Sequence, residues 1–313
     1  MYINIGNRRE VLWDDFLIDK EQTTARLTMH RPEKKELAFV FDKPWEGDGV
    51  SYSSTILVEG VYRMYYVGGM IVANGEAACR SICMMESRDM LHWERPSLGM
   101  YEFEGSKENN IILRQRSDGD FEEALDNLFV FVDENPACPA EEKIKGVGMC
   151  YNHAKEFPAD RELWCYVSSD GIHFKLGWKM TDGSVPNGGI FDSLNTAFYD
   201  SEDGFYKAFV RGIHKRYEND EDIRDVRYME SKDFRNWSEP VRLCFGEQDD
   251  YPLYTNQVTR YARAPHMYIG FPSRYVERKE WSKNFDLLGG EENARRRRER
   301  TNVSGWYSQT VFS

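Results

Sequence analysis

Short runs in which apolar and polar positions alternate, broken by turns rich in Gly and Asp, dominate the chain and predict β-strands. Residues 193–199 alternate as a half-buried strand, 200–204 supply a hairpin turn ending in Gly204, and 205–211 run back. After a polar loop, 225–230 read as a third strand and 240–244 as a short fourth. Two earlier stretches repeat the plan. The first has 54–58, a Glu59-Gly60 turn, 61–67 and 81–86; the second has 127–132, 144–151 and 163–167. A fourth unit opens at 253–261, returns through 266–271, enters a long charged loop, and takes 308–313 as its third strand. Residues 1–47 hold two more strand-like pieces, 11–13 with 16–18, and 37–41.

In three units the third strand ends in one phrase, Ser-x-Asp-x-x-x-aromatic: Ser87, Asp89 and Trp93; Ser168, Asp170 and Phe174; Ser231, Asp233 and Trp237. Recurrence at intervals of roughly 60 to 80 residues marks a repeated supersecondary unit. Its Ser and Asp suit hydrogen bonds to the turn backbone, and its aromatic suits packing between units, so the phrase is structural. Four antiparallel strands of this kind make a propeller blade. The predicted fold is therefore all-β, a single β-propeller domain of four-stranded antiparallel blades. Residues 1–47 form N-terminal strands and a closure segment, 48–100 blade 1, 120–180 blade 2, 188–245 blade 3, and 250–313 a partial blade 4.

Composition narrows the partners. The 313 residues, 41% hydrophobic, suffice for one sizeable core. With 41 basic against 53 acidic residues, the formal charge of −12 disfavours nucleic acid or an anionic membrane as partner and suits a neutral or cationic small molecule. The N-terminus lacks the apolar run of a signal peptide, and nowhere do ~18 consecutive apolar residues suggest a membrane span, so a soluble cytoplasmic protein is expected. Cysteines at 79, 83, 138, 150, 165 and 244 lack the dense spacing of a disulfide scaffold and read as free thiols. With no Cys-x-x-Cys and with scattered histidines, neither a metal nor another cofactor is expected. The basic cluster at 295–300, interrupted by Glu299 and flanked by Glu291 and Glu292, reads as a solvated helix or loop.

In such a fold the starts of the innermost strands converge on one mouth of the central channel. Acids stand at all four: Asp48, Asp126, Asp192, and the pair Asp249 and Asp250. Asp15, which with Asp14 breaks an apolar run, is a further candidate. Several carboxylates around one pocket suit glycoside hydrolysis, with one carboxyl protonated as acid and another ionised as base or nucleophile. Crowding raises the pKa of some of them. Asp also initiates turns before strands, which is the competing structural reading. Asp192 precedes Ser193 and Asn195, which alternate along one face. Aromatic platforms and hydrogen-bonding groups at or near the strand starts complete a sugar-binding set: Trp45, Tyr52, Asn127, Asn195, Arg211, Tyr254, Asn256, Arg263, His266 and Arg274. His266, beside Pro265, reads as a neutral hydrogen-bonded imidazole rather than a base.

The stretches 12–19, 41–47, 191–198 and 263–272 resemble a group of largely uncharacterised bacterial proteins described as glycosyl-hydrolase-like. The resemblance covers nearly the whole chain. It implies the five-bladed propeller fold of glycoside hydrolase families 32, 43, 68 and 130, and a C-terminally incomplete ring, since relatives continue beyond Ser313. The family 32 signatures Asn-Asp-Pro, Arg-Asp-Pro and Glu-Cys do not occur at the corresponding blade starts. By position in the blades, the resemblance implies Asp48 or Asp15 as base or nucleophile, Asp126 as transition-state stabiliser, and Asp192 as the acid, where those families place Glu. The expected activity is cleavage of a glycosidic bond in a small oligosaccharide, by hydrolysis or with phosphate. The alternative is a carbohydrate-binding or scaffolding propeller without turnover.

Overall fold

In the computed structural model, residues 3–12, 14–47, 49–69, 80–216, 221–246, 251–277 and 291, and the backbone of 309–312, are described. Asp48, Asp249, Asp250, Trp13, Cys79 and the 295–300 cluster lie outside the described residues.

The alternating runs form antiparallel sheets. Strands β1 (Ser51–Val58), β2 (Val61–Gly68), β3 (Ser81–Ser87) and β4 (Ile111–Arg114) make the first, in chain order. A hairpin of β5 (Arg116–Asp118) and β6 (Phe121–Glu123) leads into the second, built of β7 (Phe129–Val132), β8 (Ile144–Asn152), β9 (Arg161–Ser168) and β10 (Lys175–Asp182). Strand β8 pairs with β7 along its first half and with β6 at its end. The third sheet is β11 (Thr196–Asp200), β12 (Phe205–Lys215), β13 (Asp222–Ser231) and β14 (Val241–Arg242). The fourth unit comprises β15 (Leu253–Thr255), β16 (Thr259–Arg260), β17 (Tyr268–Ile269), β18 (Ser273–Glu277) and β19 (Gln309–Phe312). Its first and second strands are each broken in two, so that β15 pairs with β18, β16 with β17, and β18 with β19. Left-handed Gln257 (φ 48°) interrupts one side, and Pro272, with no N–H to give, interrupts the other. Two 3-10 turns, Pro44–Glu46 and Ala140–Glu142, lie outside the sheets.

The first strands of successive units lie side by side, β1 against β7, β7 against β11, and β11 against β16. Cores fill the spaces between neighbouring sheets. Ile56, Tyr65, Met84, Leu128 and Tyr166 pack between the first and second, and Val147, Cys165, Phe191, Ala208 and Phe234 between the second and third. Phe198, Phe209 and Val226 meet Leu253 and Val258 between the third and fourth. Each fully buried side chain of this size contributes about 1.5–3 kcal/mol. The five described cysteines are free thiols.

The repeated phrase is the turn after the third strand. Asp89 Oδ1 accepts the amides of Leu91 and His92, both at 2.8 Å; Asp170 and Asp233 do the same two and three residues on. The other carboxylate oxygen meets the side chain of His92, His173 or Asn236, each at 2.7 Å. These hydrogen bonds hold Asp89 and Asp233 below the usual carboxylate range. At Asp170, burial pushes up, and the bonds from His173, Ile172 and Ser168 overcome it. The fourth position of the phrase is left-handed in all three copies, Met90 (φ 64°), Gly171 (φ 74°) and Phe234 (φ 62°). Only the glycine adopts that conformation freely. Each later turn docks on the preceding sheet: Tyr65 Oη donates to Gly171 O at 2.9 Å, and Trp178 Nε1 to Phe234 O at 2.8 Å.

The N-terminal strands do not form among the described residues. Asp14 and Asp19 instead accept nearby amides from Phe16, Glu21 and Gln22 and curl the chain into turns, an arrangement that competes with strand pairing. Leu12, Phe16, Met29 and Leu37 are exposed. The end of the segment does cover the outer face of the first sheet, where Phe39 and Trp45 pack against Tyr66, Cys83 and Met85.

Candidate functional site

In every sheet the first strand starts at the same end at which the second strand finishes and the third begins, because consecutive strands are antiparallel. That end is opposite the turn phrases. It gathers Arg80, Asp126, Tyr151 and Arg161 from the first two sheets with Asp192, Arg211 and Arg224 of the third and Tyr254 of the fourth.

Two of the acids are set by the same local device. Leu125 (φ 48°) and Phe191 (φ 59°) are buried, left-handed residues that anchor the chain just before Asp126 and Asp192. Such backbone is costly for a residue with a side chain and persists where the surroundings fix it. Asn127 Nδ2 and Asn195 Nδ2 both donate to Phe191 O, at 2.6 and 2.9 Å, locking the turn that carries Asp192.

Asp126 is mostly buried. Its Oδ1 has no hydrogen-bond partner, and its Oδ2 lies 3.7 Å from an Arg80 nitrogen. Burial pushes its pKa up, Arg80 opposes this, and the charges of Asp192 and Glu122 add to the rise. Asp192 is half exposed and accepts from Arg211 Nη1 at 3.0 Å. The Arg211 side chain is buried; burial disfavours its charge, and Asp192 supports it. Arg211 Nη2 also donates to Tyr254 O at 2.5 Å, and its guanidinium lies 5.0 Å from the centre of the Tyr254 ring.

Tyr254 stacks on Tyr275 at 5.9 Å, and Tyr275 in turn carries the Arg224 guanidinium at 3.9 Å. Tyr52 sits in the bulge where the β1–β2 register skips from Ser51 to Ser53, and its hydroxyl reaches that of Tyr254 at 3.2 Å. Burial, reinforced by Tyr254, pushes the Tyr52 phenol far up, so it stays a proton donor. Ser193, Arg211, Asp225, Leu253, Tyr254 and Asn256 line a shallow recess. Behind it, a Cβ on Gly212 would stand 1.9 Å from Arg227 Nε and 2.3 Å from Asp225 Oδ1, so glycine alone lets that ion pair cross the strand.

The structure thus brings Asp126, Asp192, Arg211, Tyr254 and Tyr52 to one end of the sheets, with Asn256 in the lining of the recess and Arg274 paired with Leu253 at the start of β15. Asp15 is half exposed and pairs with Lys20 in its own segment. Asn127, Asn195 and Asn256 are buried with their amides spent on backbone and Thr196. Asn256 ties the fourth unit to Phe209 O and Leu194 O of the third, at 3.0 and 3.3 Å. Trp45 donates to Asn110 at 2.7 Å within the packing on the first sheet. His266 meets Glu10 at 3.3 Å, and Arg274 stacks on Tyr251 at 4.4 Å.

Arg80, Arg161 and Arg224 escaped the reading of the sequence, although a signal existed: each stands seven residues before the Ser of its turn phrase, at Ser87, Ser168 and Ser231. Two buried charge clusters were also missed. Glu46, fully buried, accepts from Tyr66 at 2.7 Å and Arg95 at 2.8 Å; Lys145, equally buried, donates to Asp133 at 2.7 Å. No helix among the described residues is long and apolar enough to cross a membrane.

No family model matches the chain, and no curated protein matches it. Solved structures are similar to it at low identity. A glycoside hydrolase is similar with a TM-score of 0.48 and 13% identity, covering 73% of this chain and 66% of its own. An α-L-arabinofuranosidase from Fusarium graminearum, in complex with an iminosugar inhibitor, gives 0.44 and 12%, with 75% and 58% covered. An endo-arabinase from Bacteroides thetaiotaomicron gives 0.47 and 12%, with 76% and 75% covered. The chain therefore spans less than two thirds of the length of the first two. The likeness of this all-β chain to glycoside hydrolase structures is one of fold.

Proposed function

We propose that the four units are successive blades of a propeller of the five-bladed type, and that the end holding Asp126 and Asp192 is a glycosidase active site. One observation carries the reading: Asp126 is a buried carboxyl with an unpartnered oxygen, beside Asp192, whose charge is balanced by Arg211. Environments that treat two neighbouring carboxyls so differently are how acid and base roles are divided. Asp126 is the acid that protonates the glycosidic oxygen. Asp192 is the ionised partner, acting as base toward water or as nucleophile. The family resemblance implied other roles, with Asp192 as the acid and Asp126 as transition-state stabiliser. Tyr254 and Tyr52 supply an aromatic wall and hydroxyls to orient a sugar ring.

The test is release of reducing sugar from a panel of neutral and acidic oligosaccharides by wild type, Asp126→Asn and Asp192→Asn. Loss of the acid lowers kcat by about 10²–10⁴-fold. Because Asp126 works only when protonated, wild-type activity falls as pH rises through its raised pKa, and that limb disappears in Asp126→Asn. The second reading is a propeller that binds carbohydrate without turnover. Wild type that binds a member of the panel and cleaves none selects it.

A further inference from the structure

The whole chain is acidic, yet the proposed site has a repeated basic feature. Arg80, Arg161 and Arg224 stand at one position of the repeat, at the start of the third strand in three successive units. Their side chains act on the groups of the site: Arg80 opposes the rise of the Asp126 pKa, Arg80 and Arg161 oppose that of Tyr151, and Arg224 repels Arg211. Carboxylates stand near two of the three, at loose distances. Arg80 is 3.7 Å from Asp126, and Arg161 is 3.4 Å from Asp160. Arg224 has no carboxylate within ion-pair distance among the described residues. Structural arginines of the same chain are bound closer, Arg63 to Glu86 and Arg95 to Glu46 each at 2.8 Å.

The Nε atoms of Arg161 and Arg224 are buried with no hydrogen-bond partner. Each guanidinium lies over an aromatic ring, Arg161 on Tyr151 at 4.4 Å and Arg224 on Tyr275 at 3.9 Å. The ring covers one face; the Nε of Arg161 faces Asp160 Oδ2 at 3.4 Å, whereas the edge of the Arg224 fork, Nε with Nη, is left for a partner in the plane. A planar acceptor with two oxygens matches that edge, and a buried donor left unpaired weakens the fold. Turn-making does not call for such a residue at this position, because the phrase satisfies its own turn seven residues on.

We propose that this site takes an acidic sugar, a substrate whose carboxylate is engaged by Arg224. This inference rests on the carbohydrate reading of the site and specifies its substrate class.

The test is equilibrium binding of galacturonate, glucuronate and mannuronate disaccharides to the full chain. Each is compared with its methyl ester, which keeps the frame and removes the charge, and inorganic phosphate is titrated separately. Wild type is expected to bind at least one acid tenfold or more tightly than its ester, with the preference shrinking as salt rises. Arg224→Met keeps the contact with Tyr275 and is expected to lose most of the preference; Arg224→Lys keeps part of it. Arg80→Met reports on the repeat, and thermal melting checks that each variant is folded. Equal binding of acid and ester across the panel, an unchanged preference in Arg224→Met, or phosphate alone binding as tightly as the sugar acids overturns the proposal. Asp126→Asn separates the two readings: it retains the acid preference if this inference holds, whether or not wild type cleaves. Cleavage of neutral sugars that depends on Asp126, with no acid preference, sinks this inference and leaves the glycosidase standing.

Discussion

The two ends of the sheets use the same residue types to opposite effect. At the turn end, Asp89, Asp170 and Asp233 each accept two amides and a side chain, and Lys145 is held by Asp133, Cys138 and Glu142 O at 2.7, 3.1 and 2.9 Å. At the other end, Ser51 Oγ, Asp126 Oδ1, Arg161 Nε and Arg224 Nε are buried without partners. Polar groups out of water without a hydrogen bond weaken a fold, so nature keeps few of them. The contrast separates what the chain needs in order to fold from what it holds ready for something else. Substitutions at the two ends are therefore expected to divide, with stability lost at the first and activity or selectivity lost at the second.

The sharpest break falls on the Lys145 cluster. Burial pulls the Lys145 pKa down, but the Asp133 hydrogen bond and charge outweigh it, leaving the amine firmly protonated. Asp133→Asn leaves that cation buried without its counter-charge, and Tyr206 loses the carboxylate it donates to at 2.8 Å. The expected loss is about 3–5 kcal/mol in urea unfolding. A loss under ~1 kcal/mol would mean that this end is no better satisfied than the other.

A step smaller is Asp233→Ala, which frees the amides of Arg235 and Asn236 and the side chain of Asn236. Net hydrogen-bond values put the cost at about 1–2 kcal/mol. Sugar binding is expected to be unchanged, since the turn lies at the far end of the strands. Differential scanning calorimetry and a binding titration together check both halves.

Asp126→Asn is the counterpart at the other end, with the opposite sign. A carboxyl whose folded pKa is raised contributes stability below its unfolded value of 3.8, and that contribution is lost as pH rises through the folded pKa. The amide escapes this loss. Urea titrations between pH 3 and 7 are expected to show the variant gaining on wild type as pH rises, while catalysis drops. A variant less stable than wild type at neutral pH would make Asp126 a structural residue and break the contrast.

Much of this division was written in the repeat. The turn phrase set the register of three sheets, and strands such as β2 and β8 appear within a residue or two of their predicted bounds, because alternation and Gly-containing turns are local signals. The broken strands of the fourth unit were less legible, since the interruption at Gln257 depends on left-handed backbone that the sequence does not advertise. The apolar pieces near Leu12 and Leu37 carried a strand-like pattern with no neighbouring edge to pair with, so pattern alone misled. In the site, Asp126 and Asp192 stood out as acids at strand starts, but Asn127, Asn195 and Asn256 looked equally polar and are buried stitching between units. Which polar groups are spent on backbone depends on contacts between sheets. The three arginines are legible in the register counted back from each Ser of the turn phrase.

The finest test concerns a single exposed pair at the turn end. His92 Nδ1 lies 2.7 Å from Asp89 Oδ2, and that hydrogen bond, with the Asp89 charge, raises the imidazole pKa above its ordinary 6.5. A raised folded pKa gives a stabilising contribution that is complete below the unfolded value and is lost as pH rises through the folded one. Both side chains are solvated, so the energy is slight and salt weakens it. NMR titration of the ring measures it directly, with a midpoint above 6.5 in wild type that falls back toward that value in Asp89→Asn. If the midpoint does not move, the Asp89 carboxylate is committed to its two amides alone, and the histidine adds nothing to the satisfaction of this end.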